Sequence, residues 1–211
     1  MLPEFTAEGD LPPGVHVADW QEFQTRFCGS SSRRVWLSGR LRTLLELAAI
    51  NGKLRRVFIW GSFITAKPAP KDLDILLIMD DDFEVDGVAA PARAVFDSVR
   101  AKLLFEADVF WARSSIGHEL LDLWLDTYQT SRSFPKTRYC GTGVAVIQTD
   151  DQMLLAQQCV ANLRRILLEA RKVHSRQDYA RMAEPILLEV QQREQEILEY
   201  LTRDLEQPVA I

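Results

Sequence analysis

Residues 59–77, IWGSFITAKPAPKDLDILL, constrain this chain more than any other stretch: an apolar segment runs into Gly61-Ser62, and after nine further residues Asp72 and Asp74 flank one leucine. In an extended strand, side chains at i and i+2 share a face, so these two carboxylates converge on one region of space. Carboxylates that close repel each other, and a divalent cation such as Mg²⁺ relieves the repulsion through hard oxygen ligation. Leu73, Ile75 and the apolar run through Ile78 would bury the strand and leave Asp72 and Asp74 at its N-terminal rim, where water and metal can reach them.

The flanking sequence suits such a strand. Arg56–Trp60 reads as a buried strand leading into the Gly-Ser step, and Leu73–Met79 as a second strand after a connection carrying Pro68 and Pro70. FEADVFW, residues 105–111, reads as a third strand, and GVAVI, residues 143–147, as a short final one. Helical spacing covers residues 33–51 (Val35, Trp36, Leu37, Leu41, Leu44, Leu45, Leu47 and Ala48), with a stop at Asn51-Gly52, and recurs over 115–129. Residues 91–104 suit a helix with Pro91 in its first turn and Val95, Val99, Leu103 and Leu104 facing inward. The first eighteen residues, rich in proline and glycine, are expected to lie over the domain as an extended strap, followed by a short amphipathic segment at Trp20–Phe27.

From Asp150 the pattern changes to a helix-packing seam of Met153, Ala156, Val160, Leu163, Leu167 and Ala170, with a break near His174-Ser175. Ile186, Val190, Ile197 and Leu201 repeat the seam, and Pro185 is expected to kink this segment or to mark the start of its last helix. Two units follow: residues 1–148, and a helical hairpin subdomain over 149–211.

Composition excludes several classes. With 47% hydrophobic and 26% charged residues the chain can build a core, and a net charge of −5 gives no broad basic surface for duplex DNA. No stretch is long enough to span a bilayer, and the opening MLPEFTAEGDLPP lacks the basic start and apolar run of a signal peptide, so a cytoplasmic bacterial protein is expected. Cys28, Cys140 and Cys159 lack disulfide or zinc spacing. His16, His118 and His174 read as surface or packing residues, and the acidic run Asp80, Asp81, Asp82, Glu84 and Asp86 as a solvated loop.

Strand, Gly-Ser, short helix, then strand with Asp-x-Asp resembles the signature of the polymerase-β-like nucleotidyltransferase superfamily over Trp60–Ile75. The resemblance implies an α+β nucleotidyltransferase fold, a small mixed sheet flanked by helices, here followed by the C-terminal α-helical hairpin. It assigns Gly61 and Ser62 to the triphosphate of an NTP donor, through the amides of a helix N-terminus and the serine hydroxyl. It makes Asp72 and Asp74 ligands for Mg²⁺ or Mn²⁺ and asks for a third carboxylate, for which Asp108 is the choice and Glu106, expected on the same face, the runner-up. Asp108 sits in an apolar run, where an uncompensated carboxylate is costly. Lys67 or Lys71 could neutralise phosphate charge.

A second resemblance covers residues 1–148. MLPEF, LPPGVHVADWQEFQTRF, FEADVFW and LWLDTYQTSR look like an uncharacterised bacterial family of small nucleotidyltransferase-like proteins. Relatives show a glycine followed by an acidic strand residue near the end of that domain, where this chain reads CGTGVAVIQ. The helical tail resembles the paired helices of some antitoxins. The reading that follows is nucleotidyl transfer to a macromolecular acceptor, a protein hydroxyl or an RNA end, within a toxin–antitoxin or phage-defence system. Its rival is an idle fold that binds a partner or a second copy through helices 149–205; a third reading is nucleotidylation of a small molecule.

Overall fold

A computed structural model describes residues 1–130 and 147–202. Among the described residues three strands form one sheet in the order β1 (Leu54–Trp60), β2 (Leu73–Met79), β3 (Ala107–Arg113), with β1 antiparallel and β3 parallel to β2. The sheet is therefore small and mixed, as the sequence implies. β2 is almost wholly buried as the central strand; β1 lies at the edge and is only half-buried, which corrects its reading as a buried strand. The strand expected at residues 143–147 lies outside the described residues except for Ile147, which is buried.

Two helices precede the sheet, α1 (Trp20–Phe27) and α2 (Ser32–Ala49). Both begin where short polar side chains satisfy the orphan amides of the first turn: Asp19 accepts from the Glu22 N–H and Ser31 from the Arg34 N–H. α2 buries Leu37, Leu41, Leu44 and Ala48, whereas Val35 and Trp36 face outward. The N-terminal segment is the expected strap: Leu2, Phe5 and Leu11 pack on the core, and the Ala66 N–H donates to the Gly9 carbonyl at 2.7 Å.

The single helix expected over 91–104 is divided. α3 (Ala90–Arg93) passes into a 3₁₀ turn, and α4 (Ser98–Phe105) restarts at Asp97, whose carboxylate accepts from the Arg100 N–H. The restart rotates the helical faces, so α4 buries Ala101 and Phe105, while Val99, Leu103 and Leu104 are exposed rather than inward. A left-handed Glu106 (φ 52°) ends α4, and β3 begins two residues later than expected. α5 (His118–Thr130) follows on the far side of β3.

The tail forms the expected helical pair, α6 (Asp150–Val173) and α7 (Arg176–Leu201), broken at His174-Ser175. Pro185 lies inside α7 and does not mark its start, since Ser175 caps the helix ten residues earlier. Ala156, Val160, Leu163, Leu167 and Ala170 of α6, and Ile186, Val190 and Ile197 of α7, are buried in one cluster with the sheet, whereas Leu201 is exposed. No described helix is long and apolar enough to cross a membrane.

A buried polar post fixes the helical pair to the sheet. The Arg113 guanidinium at the end of β3 donates to Asp178 Oδ2 (2.7 Å), the Phe83 carbonyl (3.0 Å) and the Val173 carbonyl (3.2 Å). Asp178 also accepts from Ser175 Oγ, and His174 Nε2 accepts the Arg113 N–H at 3.2 Å while its Nδ1 faces the Ala170 carbonyl at 2.8 Å. That pairing requires neutral imidazole with the proton on Nδ1. Burial pushes His174 below its ordinary value of 6.5.

Removing one partner of a buried ion pair strands the other charge, so Asp178→Ala should lose about 3–5 kcal/mol in urea unfolding; a loss below about 1 kcal/mol would mean that the post is not structural. Above pH 6.5 His174 is neutral folded or unfolded and its contribution is complete. As pH falls, the unfolded chain takes up the proton first, so stability declines from about pH 6.5 down through the depressed folded value. His174→Gln should flatten that decline in unfolding midpoints measured between pH 5 and 8; an unchanged slope would exclude the imidazole as its source.

Candidate active site

The end of β1 and the beginnings of β2 and β3 meet at one edge of the sheet. Register pairs Trp60 with Asp74 and Asp74 with Asp108, so these three side chains stand on one face in a row across the strands. Asp72, two residues before Asp74, completes the acidic corner. The structure thus brings Asp72, Asp74 and Asp108 to the same strand ends.

Gly61 makes the corner possible. It adopts φ +77°, a left-handed conformation that favours glycine, and an added Cβ would lie 1.7 Å from Asp74 Oδ2. The turn after it, Gly61–Ile64, is one 3₁₀ turn and not the helix implied by the superfamily resemblance. The N-terminus of α2 explains why. Arg34, almost wholly buried, donates to the carbonyls of Phe63 (2.7 Å), Thr65 and Lys67 (2.8 Å), as well as to Phe27 (2.9 Å). Ser31 Oγ donates to the Pro68 carbonyl, and Arg33 to those of Pro70 (3.1 Å) and Lys71. Carbonyls that a longer helix would pair with its own amides are drawn to α2 instead.

Ser62 Oγ accepts the Lys71 N–H at 3.3 Å, which leaves the hydroxyl proton to donate elsewhere. Lys67 and Lys71 are exposed, and their backbones, rather than their ammonium groups, enter these contacts.

Glu106 does not share the face of Asp108. Its left-handed backbone turns the carboxylate toward α2, where Arg33 Nη2 (2.7 Å) and the Trp36 indole N–H (2.7 Å) donate to its two oxygens. Those hydrogen bonds hold its carboxyl below the ordinary range. Glu106 is a brace between α2 and the start of β3, and the runner-up role is corrected accordingly.

Sequence reasoning missed the cation at the corner. Lys102, in the last turn of α4, places Nζ 2.8 Å from Asp72 Oδ2 and 2.6 Å from Asp108 Oδ2. Burial alone would lower its pKa, but hydrogen bonds to Asp108 and Asp72 outweigh it and hold the ammonium above its ordinary value. Lys102 lies six residues from Asp108 across a helix end, a spacing with no periodic signature. Among the described residues, no three His, Cys, Asp or Glu side chains gather closely enough to hold a metal ion. The donor set of Asp72 and Asp108, two carboxylate oxygens converging on one small cation with Asp74 alongside, is nonetheless hard oxygen chemistry that suits Mg²⁺ or Mn²⁺ once the ammonium leaves.

Aromatic rings wall one side. Trp60 packs in a tilted contact against Tyr128 of α5, ring centroids 4.8 Å apart, and Tyr128 also meets Phe110 at 5.3 Å. The Tyr128 hydroxyl donates to Glu189 Oε2 of α7 (2.9 Å), and Arg193 pairs with Glu189. Burial, with Glu189 beside it, pushes the phenol well up, and it serves as a fixed donor that ties α7 to the site. The acidic run beyond β2 is spent in contacts away from the corner: Asp80 with Arg55, Asp81 with Ser114, Asp82 with Lys53 and Asp86 with Arg181.

Fold and site together define a mixed α+β domain whose strand ends gather three carboxylates beside a clamped Gly-Ser turn, backed by a helical pair. The chain belongs to the DUF6932 family, described as a family of unknown function, whose model matches residues 3–148. No curated protein and no solved structure matches it.

Gly61→Ala should cost about 1–2 kcal/mol from the left-handed backbone alone, with the clash against Asp74 in addition. The check is guanidinium unfolding; a change within about 0.5 kcal/mol would mean that the turn relaxes freely.

Proposed function

We propose that this protein transfers a nucleoside monophosphate from a nucleoside triphosphate to a hydroxyl on a macromolecule, a protein side chain or an RNA end. The observation that carries the reading is the alignment of Asp74 with Asp108 beside Gly61-Ser62, with Asp72 and Asp108 converging on one cation. In this reading Asp72, Asp74 and Asp108 hold Mg²⁺ or Mn²⁺, which when bound lowers the pKa of an attacking hydroxyl and screens phosphate charge.

The chain's own residues do the rest. Gly61, in its left-handed turn against Asp74, puts Ser62 beside the carboxylates, and Ser62 donates its hydroxyl proton to a phosphate oxygen. Asp108, whose side chain is more exposed than that of Asp72, faces the acceptor side and takes its hydroxyl proton. The acceptor oxygen forms a bond to the α-phosphorus as the bond to the bridging oxygen breaks, and pyrophosphate departs. A place in a toxin–antitoxin or phage-defence system belongs to this reading and rests on the likeness of the tail to antitoxin helices.

One observation favours a second reading. An ammonium already stands between Asp72 and Asp108, as it would in an idle fold that has replaced metal with lysine and binds partners through exposed apolar residues such as Leu187 and Leu188 of α7.

Incubating the protein with α-labelled NTPs, Mg²⁺ and cell lysate should yield a labelled macromolecule, and Asp72→Ala, Asp74→Ala and Asp108→Ala should each reduce the label by about 10²-fold or more. Equal labelling by the variants, or no labelling by the wild type with any of the four NTPs, would sink catalysis and leave the idle fold.

A further inference from the structure

We infer that Lys102 is the resident counter-cation of this corner, and that a divalent ion enters by displacing its ammonium from Asp72 and Asp108. This rests on the reading of Asp72, Asp74 and Asp108 as cation ligands but not on the transfer reaction.

The argument begins with how Lys102 is held. Its backbone is fixed: Asp97 caps the start of α4, the Glu106 N–H donates to the Lys102 carbonyl at 3.1 Å, and Glu106 is braced by Arg33 and Trp36. The Glu106 carbonyl in turn accepts the Leu73 N–H at 3.0 Å, tying this helix end to the start of β2. The side chain, by contrast, is 45% exposed and carried on a flexible four-carbon stem. A rigid base and a mobile tip suit an ammonium that can leave while the helix stays.

Charge supplies the reason for it to be there. Asp72 is only 18% exposed, and with Asp74 beside it on one face and Asp108 across the strand boundary, three carboxylates crowd one edge. Without a cation their mutual repulsion would spread the strand ends. Lys102 relieves that repulsion from within the chain, through bonds of 2.8 and 2.6 Å to one oxygen each of Asp72 and Asp108. An ammonium within 2.8 Å of both carboxylates repels a divalent ion brought to the same groups, so a weakly binding cation does not compete with it. Metal occupancy and release of the Lys102 amine are then one event.

Two measurements test this. The first is Mn²⁺ binding followed by electron paramagnetic resonance on wild type, Lys102→Met and Lys102→Arg, with Asp72→Asn as the ligand control. Lys102→Met should bind Mn²⁺ about tenfold more tightly than wild type, as expected when a competitor with this coupling is removed, while Lys102→Arg stays close to wild type and Asp72→Asn loses binding. The second uses the unaltered chain: the ε-amine of Lys102 should acetylate several-fold faster at saturating Mn²⁺ than without it, by mass spectrometry, with exposed Lys67 and Lys71 as internal references. Equal Mn²⁺ affinity in wild type and Lys102→Met, or Lys102 acetylation unchanged by Mn²⁺, overturns the proposal. Tight Mn²⁺ binding by Lys102→Met without any nucleotidyl transfer would uphold the displaced lysine and reject the transfer reaction. Transfer that requires Asp72, with affinities indifferent to Lys102, would do the opposite.

Discussion

The parallel pairing of β2 with β3 is the constraint on which the rest of this structure depends. Because Asp74 lies opposite Asp108, a register shift of one residue would send one carboxylate to the other face, where Ile75 and Val109 pack in the core. Apolar burial surrounds the pairing: Leu73, Ile75, Leu76 and Leu77 of β2 and Ala107 and Ala112 of β3 are completely enclosed. Both faces of these strands are apolar, so what a slip would change is the charge: it would turn a carboxylate into the packed face, and the cost of burying it there holds the acidic corner in place.

Buried arginines complete the frame at opposite ends of the sheet. Arg34 gathers the turn that follows β1, and Arg113 gathers the hinge between α6 and α7 at the far end of β3. Both use the fan of guanidinium donors to satisfy carbonyls that have no regular secondary structure to pair with, a task one lysine could not perform. The sheet is thereby connected to its helices through polar posts as well as through packing.

Much of this was legible in the sequence, and what was not has identifiable causes. Alternating and continuous apolar runs gave β2 to the residue, and the helical periods gave α1, α2, α6 and α7 closely, because these signals are local. The break inside residues 90–105 escaped detection because Asp97 also fits an exposed position on one continuous helix, and only its capping bond reveals a restart. That Asp72, Asp74 and Asp108 come to the same strand ends was expected from spacing and from the cost of charge in an apolar run. Lys102, Arg33 and Arg34 were not, since most of their contacts lie some thirty residues or more away along the chain, and the nearer ones, Lys102 with Asp108 and Arg34 with Phe27, cross a helix end. Glu106 was misassigned because alternation assumes extended backbone, and its left-handed conformation reverses the direction of the side chain.

The grip of Ser31, Arg33 and Arg34 on residues 63–71 means that the Gly-Ser turn travels with α2 as one piece. Any accommodation of an incoming molecule must then come from the opposite wall, where α4 contributes a long tethered side chain in place of a clamped loop. The corner resembles a vice with one fixed jaw and one sliding jaw.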